Sequence, residues 1–155
     1  MTNTRETLQT ALAVLAAWET RDLNAAARLL ADDFQVTGPA PVALGKQAYL
    51  GFQAIHNEAF ADWQFNPSQV TIDGDTARVT FQISATHTGA FDVAKIGVPI
   101  PAVAATGKHR AWPVEHMTIT VKGALVSKLE VNNEPDGGVL GTLAWLGVAV
   151  AAPAL

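Results

Sequence analysis

The 155-residue chain contains no cysteine, so a disulfide framework and a thiol nucleophile are both excluded. Charged residues make up only 15% of the chain, below the roughly 25% of an ordinary soluble domain. The basic side chains are scattered and the formal net charge is −4, which argues against nucleic acid as a partner. Because 49% of the residues are hydrophobic, we expect surplus apolar surface to line a deep pocket or to lie between subunits.

Motifs that bind metals or nucleotide cofactors are also missing. The four histidines, at positions 56, 87, 109 and 116, have none of the spacings that build a zinc site. The chain has no glycine-rich phosphate loop and no Gly-x-Ser-x-Gly elbow. We therefore expect no metal and no cofactor. The amino terminus lacks the basic and apolar segments of a signal peptide, which favours a cytoplasmic location.

The amino-terminal part of the chain has the apolar spacing of helices. Asn3 and Asp22 are predicted N-caps of two helices, each followed by an apolar stripe. A third helix is predicted over residues 46–60, and His56 lies in its aromatic stripe. A lone histidine in such a stripe is either a satisfied core residue or a functional one.

The rest of the chain is predicted to form antiparallel strands. Residues 64–72 and 76–86 flank Asp73-Gly74-Asp75, a strong hairpin signal. Alternation along the second strand brings His87 onto its apolar face, where it either caps the core or faces a cavity. A loop of about twenty residues rich in glycine and proline follows, a length typical of lids and binding edges.

A late hairpin of two alternating strands, within residues 111–132, carries two candidate catalytic residues. Matching the apolar faces of the strands places Met117 opposite Leu129, and this register places Glu130 opposite His116. Their β-carbons would lie about 4.5 to 5.5 Å apart, within reach of an acid and a base that exchange a proton. Without a pocket the same two residues form a solvated surface pair.

Helices followed by a meander of antiparallel strands predict an α+β domain. We expect one domain over residues 1–155, with a cone-shaped curved antiparallel sheet, the N-terminal helices packed on its concave face, and a pocket enclosed between them. Residues 139–155 carry no charge and form an apolar C-terminal extension. Because this extension is short and interrupted by glycine and proline, we expect no membrane span but a short helix against the pocket mouth or a partner.

Several short motifs resemble the SnoaL-like polyketide cyclases, which have the cone-shaped fold of nuclear transport factor 2. They occur in the family's order and at similar spacing between Leu8 and Asn133. The motifs are Trp18, the run from Asp22 to Ala27, Leu30-Ala31-Asp32-Asp33-Phe34, Gly38-Pro39, Gly45, Ala59-Phe60-Ala61-Asp62-Trp63, Asp73-Gly74-Asp75, Thr86-His87-Thr88-Gly89 and Ala105-Thr106-Gly107-Lys108. The resemblance implies a pocket between sheet and helices in which a ring is closed by intramolecular aldol chemistry without a cofactor.

The resemblance also implies an acid/base carboxylate on the last core strand and a histidine on the strand before it. These positions correspond to Glu130, where the family has an aspartate, and to His116. We expect Glu130 to abstract a proton α to a carbonyl, His116 to donate to the developing oxygen, and His87 to assist. Lys128, two residues from Glu130, favours its ionised form. The predicted substrate-binding residues are Trp18, Phe34, Tyr49, Phe52, His56, Phe60, Trp63 and Trp112.

The expected partner is a small apolar or aromatic molecule, and two functions without chemistry fit the same sequence. One is a binding module that sequesters a hydrophobic molecule, and the other is a scaffold selected for dimerisation. A homodimer is expected in each case, since a pocket lined by the mixed face of the late hairpin would leave its apolar face outside the cone. Tyr49 is the only tyrosine, so an oxyanion hole built of several tyrosines is not expected.

Overall fold

The computed structural model describes residues 3–148 and confirms the α+β class, with helices packed on a curved, mostly antiparallel sheet. The helices are α1 (Thr4–Glu19), α2 (Leu23–Leu29), α3 (Lys46–Ala59) and α4 (Gly138–Trp145). The strands are β1 (Leu30–Thr37), β2 (Leu44–Gly45), β3 (Gln69–Asp73), β4 (Thr76–Phe81), β5 (Ser84–Thr86), β6 (His109–Ala111), β7 (Glu115–Lys122) and β8 (Leu125–Asn132). A short 3-10 turn at Val93–Ile96 lies within the long predicted loop.

Both predicted helix caps are present. The Asn3 side chain accepts a hydrogen bond from the backbone N–H of Glu6 at 2.8 Å, and Asp22 accepts one from Ala25 at 3.0 Å. Each cap satisfies one of the N–H groups that the first helical turn leaves without a partner. The two helices therefore begin where the polar caps are placed in the sequence.

Replacing Asp22 by alanine is expected to lower the free energy of unfolding by about 1 kcal/mol, because the N–H of Ala25 loses its acceptor. Urea denaturation measures the change. Asp33→Ala is the matched control, since Asp33 is an exposed aspartate within β1 that caps no helix. Equal losses in the two variants would show that the cap contributes nothing beyond a surface charge.

Six strands form the main sheet in the order β2-β1-β8-β7-β4-β3. All neighbours in this sheet are antiparallel except β1 and β8, which run parallel. The sheet is thus mostly antiparallel, as the sequence predicts, with one parallel pair where β8 leaves the late hairpin and runs beside β1 in the same direction. The predicted strand 76–86 is divided into β4 and β5. At the break, the Gln82 side chain donates to the carbonyl of Trp112 at 3.0 Å. After the break, β5 pairs with β6 in a small second sheet.

The predicted register of the late hairpin is wrong by two residues. His116 pairs with Asn132, and Glu130 pairs with Thr118. The imidazole and the carboxylate that the sequence placed opposite each other are therefore not cross-strand partners.

Two local features cause this shift. The turn consists of two residues, Gly123 and Ala124, both with positive φ (57° and 62°), as a type I′ turn requires. A bulge follows at Ser127: Val121 pairs with Val126, but the next residue of β7, Thr120, pairs with Lys128. Val126 is consequently buried, and the apolar alternation of β8 changes phase at the bulge.

The apolar face of β7 points into the molecule. Glu115, Met117, Ile119 and Val121 are buried, whereas His116 is exposed. The expectation of a homodimer assumed the reverse, an apolar face outside the cone and a mixed face inside. With the mixed face outside, that reason for a second subunit no longer holds.

Helix α4 occupies the start of the apolar extension and packs against the rest of the domain. Its Val139 and Leu143 are buried, and the N–H of Val139 donates to the carbonyl of Pro39 at 2.8 Å. The Trp112 indole N–H donates to Thr142 Oγ1 at 3.1 Å. Residues 149–155 of the extension lie outside the described residues. Within residues 3–148, none of the helices has the length and apolar character needed to cross a bilayer.

Candidate functional site

A cavity opens between the concave face of the main sheet and the helices, with lining residues from α1, α3, α4, β7 and β8. It holds about 720 Å³ of empty space, counting its open mouth. Six of the predicted substrate-binding residues line it: Trp18, Tyr49, Phe52, His56, Trp63 and Trp112.

Two other predicted substrate-binding residues, Phe34 and Phe60, are not in the lining. Both are fully buried. The ring of Phe34 packs against Tyr49 at a centroid distance of 5.6 Å, and that of Phe60 packs against Trp63 at 5.4 Å. They form a second layer that supports the wall, so their aromatic spacing reflects core packing.

His87 is a core residue and does not line the cavity. Its Nδ1 accepts a hydrogen bond from the Thr106 N–H at 3.1 Å, and its ring lies 5.3 Å from that of Phe60. Burial lowers the pKa of His87, while the carbonyl groups of Gly89 and Val103 act in the opposite direction. Of its two interpretations, the structure supports the one in which His87 caps the core.

The predicted catalytic pair lies on the outer face of the sheet. His116 is exposed and its Nδ1 lies 3.2 Å from Thr80 Oγ1. Glu130 is half-buried, with Oε1 at 3.7 Å from Lys128 Nζ, so the neighbouring lysine interacts with it as expected. Neither residue lines the cavity. The structure therefore does not bring the two together at the pocket.

The carboxylate that does line the cavity belongs to Glu115, at the start of β7. The residue is 1% exposed. Its Oε2 accepts hydrogen bonds from Asn133 Nδ2 at 3.0 Å and from the backbone N–H of Glu134 at 2.8 Å. Within residues 3–148, Oε1 has no hydrogen-bond partner. One oxygen is thus held by the protein and the other remains available to a ligand.

Two further residues, Gly137 and Arg110, shape the surroundings of this carboxylate. Gly137 lies so close that a β-carbon there would overlap the Glu115 carboxylate. Arg110 attracts Glu115 electrostatically and lies 4.9 Å from the ring centre of Trp112. Its guanidinium also donates to the carbonyl of Asp136 at 3.1 Å, just before α4.

Sequence reasoning missed Glu115, although a signal for it was present. A single glutamate began a face of β7 that was otherwise made of Met117, Ile119 and Val121. A glutamate is almost never fully buried unless it is paired, and buried titratable groups cluster at functional sites. The structure shows that it is buried in the same face as its apolar neighbours.

His56 is the second titratable group in the lining. Its Nδ1 lies 2.7 Å from the carbonyl oxygen of Phe52, which only accepts, so Nδ1 carries the proton and Nε2 keeps a free lone pair. Burial lowers the pKa of His56 to about 4. The imidazole is therefore neutral near pH 7, packed against Phe52 and Trp63 at centroid distances of 4.3 and 4.9 Å.

Tyr49 adds a hydroxyl group to the wall. Burial raises the pKa of Tyr49 above its usual range, and a side-chain interaction with Gln53 acts to lower it. The phenol therefore keeps its proton at physiological pH and can donate it in a hydrogen bond. In the part of the chain that the structure describes, no three histidine, aspartate or glutamate side chains are grouped to hold a metal ion.

The sequence profile of a family described as "SnoaL-like domain" matches residues 11–127. The solved structures similar to this chain include a protein from Xanthomonas campestris pv. campestris described as a candidate polyketide cyclase. It is 16% identical with a TM-score of 0.71, and the match covers 94% of this chain and 97% of that one. No functionally curated protein matches the sequence.

Two further solved structures are also similar to this chain. AclR from Streptomyces galilaeus, described as a candidate hydroxylase, is 18% identical with a TM-score of 0.70, covering 97% of this chain and 86% of its own. A protein from Catenulispora acidiphila with a ketosteroid isomerase-like fold was solved with trimethylamine. It is 16% identical with a TM-score of 0.63, covering 90% of this chain and 93% of its own. At these identities the likeness shows a shared fold.

Proposed function

Since the chain belongs to the SnoaL-like domain family, we propose that it is an enzyme performing acid–base chemistry without a cofactor on a bulky, largely apolar carbonyl compound. The reaction class is aldol cyclisation or a related isomerisation. The observation that carries the proposal is the buried Glu115 carboxylate, with one oxygen free, in the wall of an aromatic cavity. A positioned carboxylate in a water-poor site is what proton abstraction next to a carbonyl requires.

In the proposed reaction, Glu115 Oε1 takes a proton from the carbon next to the carbonyl. The electron pair of that C–H bond forms the enolate, whose oxygen accepts a hydrogen bond from the Tyr49 hydroxyl. In an isomerisation the proton returns to another carbon. In an aldol closure the enolate carbon attacks a second carbonyl of the same molecule, and the proton goes to the new alkoxide. Asn133 and the N–H of Glu134 keep Oε2 fixed throughout.

His56 does not take over the role of donor to the enolate, which the sequence analysis gave to His116. A neutral ring whose Nδ1 donates to Phe52 offers only an acceptor at Nε2. It therefore orients a hydroxyl or enol group of the substrate and does not donate to the enolate. Donation falls to Tyr49, the lining phenol.

A second function, binding without chemistry, is supported by the aromatic character of the wall. Trp18, Tyr49, Phe52, Trp63 and Trp112 are among its lining residues. Apolar walls with few polar groups are typical of ligand pockets. The Catenulispora acidiphila structure holds a small amine, trimethylamine. A binding module would take up a ligand and leave it unchanged.

Deuterium exchange distinguishes the two functions without knowledge of the natural substrate. We expect the protein to catalyse replacement of the protons next to the carbonyl of 1-tetralone, a planar bicyclic ketone, in D₂O, with a rate proportional to protein concentration. Proton NMR follows the loss of that signal, and an inert competitor, 2-methylnaphthalene, should suppress it. Exchange at the buffer rate despite measurable binding of the ketone would refute the enzyme and favour the binding module.

A further inference from the structure

Arg21 supplies a positive charge to the cavity wall, at the junction between α1 and α2. It is the only lysine or arginine among the described lining residues, and it is exposed, so a ligand that enters the cavity from solvent can reach it. Its Nη1 donates to the carbonyl of Trp63 at 3.5 Å. Within residues 3–148, Arg21 forms no ion pair. A guanidinium has several N–H donors, so most of them remain available to a ligand.

The backbone of Arg21 has a conformation that favours glycine. Its φ is 56°, in the left-handed region. The N–H of Arg21 donates to the carbonyl of Trp18 at 3.1 Å, and the N–H of Asp22 donates to that of Ala17 at 2.9 Å. These two bonds close α1, and glycine is the usual residue at this position after a helix. The chain thus has a large, charged side chain where the helix end alone favours none, and strained positions of this kind cluster at ligand-binding sites.

The wall beside this cation is aromatic. Trp63, whose carbonyl Arg21 contacts, has its ring centre 6.1 Å from that of Phe65. The ring centre of Trp18 lies 5.7 Å from that of Phe65. All three rings belong to lining residues of the cavity. A ligand that packs on this part of the wall is therefore next to a positive charge.

Arg21 and Glu115 carry opposite charges when Glu115 is a carboxylate, as the proposed function requires, and both line the cavity. They form no ion pair with each other within the part of the chain that the structure describes. An anionic substituent is attracted to the guanidinium and repelled by the carboxylate. The two charges therefore favour one orientation of an anionic ligand, with its negative group at Arg21.

We propose that Arg21 binds a carboxylate group of the ligand, which is therefore an ionised aromatic or polycyclic carboxylic acid. A guanidinium is planar and matches a carboxylate through two parallel N–H···O bonds. The negative group gives Arg21 the counter-ion that residues 3–148 do not provide. Binding at Arg21 needs no chemistry, so only the orientation of the carbonyl towards Glu115 rests on the proposed function.

The test compares two probes of nearly equal shape, 2-naphthoate and the neutral 2-naphthamide, by equilibrium dialysis against the intact protein at neutral pH. The ratio of their affinities cancels most of the aromatic contribution. We expect the wild type to favour the naphthoate about fivefold, the upper range for an exposed ion pair. High salt should reduce this preference, because the pair is accessible to solvent.

Arg21→Gly is expected to abolish the preference for the naphthoate, and Arg21→Lys, which keeps the charge but not the planar fork, should retain part of it. Without ligand, Arg21→Gly should unfold at the same or a higher temperature than the wild type, because glycine adopts a φ of 56° without strain. Its loss of preference is then separated from any loss of folding.

Arg28→Ala is the matched control, since Arg28 is an exposed arginine on α2 that does not line the cavity. It removes the same charge and should leave the ratio unchanged. A wild-type ratio of one or below, including failure to bind either probe, overturns the subsite, as does a ratio that Arg21→Gly leaves unchanged or that Arg28→Ala lowers equally. A wild type that prefers the naphthoate through Arg21 but does not exchange 1-tetralone protons supports the subsite and refutes only the chemistry.

Discussion

Replacing Glu115 by glutamine is expected to reduce the catalysed exchange of 1-tetralone protons by about 10² to 10⁴, the usual contribution of a general base. The amide oxygen of glutamine can still accept from Asn133 and from the N–H of Glu134. Its nitrogen then faces the cavity where Oε1 stood, and an amide nitrogen cannot take a proton from carbon. We therefore expect the variant to fold normally and to bind the ketone while losing the reaction.

Glu130→Gln is the matched control for this experiment. Glu130 is the carboxylate that family resemblance assigns to catalysis, but in the structure it lies on the outer face beside Lys128. Its replacement should leave the exchange rate within about a factor of two, because Glu130 does not line the cavity and substitutions at such positions rarely disturb the fold. The opposite result, a large loss of exchange in Glu130→Gln and none in Glu115→Gln, would show that Glu130 is the base, as the family resemblance implies, and would refute the assignment of Glu115.

The stability of the protein is expected to fall by about 3 kcal/mol between pH 6.5 and pH 4 through His56 alone. Burial lowers the pKa of His56 from 6.5 to about 4, and one pKa unit corresponds to about 1.4 kcal/mol. In this window the unfolded chain binds a proton at His56 that the folded chain does not, so stability rises with pH and is lost on acidification. Below pH 4 both states are protonated and the contribution stops changing.

Urea unfolding of the wild type and of His56→Phe at several pH values between 4 and 8 measures this contribution. Phenylalanine keeps an aromatic ring against Phe52 and Trp63 but cannot bind a proton. Because His87, whose pKa burial also lowers, is present in both proteins, its effect cancels in the difference. Two curves that stay parallel from pH 8 to pH 4 would show that His56 does not titrate with a depressed pKa.

Much of the helical part of the fold could be predicted because its signals are local. The caps at Asn3 and Asp22 each bond a side chain to a backbone N–H only three residues further along the chain. The aromatic stripe of α3 likewise identified Tyr49, Phe52 and His56, which all line the cavity. The helical period alone determines which side chains share a face, independently of how the helix packs against the rest of the protein.

The late hairpin could not be predicted to the same accuracy, because strand register depends on turn type and bulges. A one-residue error at the turn and another at Ser127 were enough to exchange the partners of His116 and Glu130. Which face of β7 lines the cavity is a tertiary property, decided by where the helices pack. The sequence assigned the apolar face of β7 to the core, yet this face also carries Glu115, the carboxylate that we propose as the base.

The parallel contact between β1 and β8 has a consequence for biosynthesis. The first long strand of the chain acquires its central neighbour only when residues 125–132 have been made, about ninety positions later. Pairing of such distant segments is slow, since a large loop must close before the contact forms. A ribosome-bound chain lacking β8 would expose one edge of β1, so we expect the nascent domain to acquire protease resistance late, after β8 has left the exit tunnel.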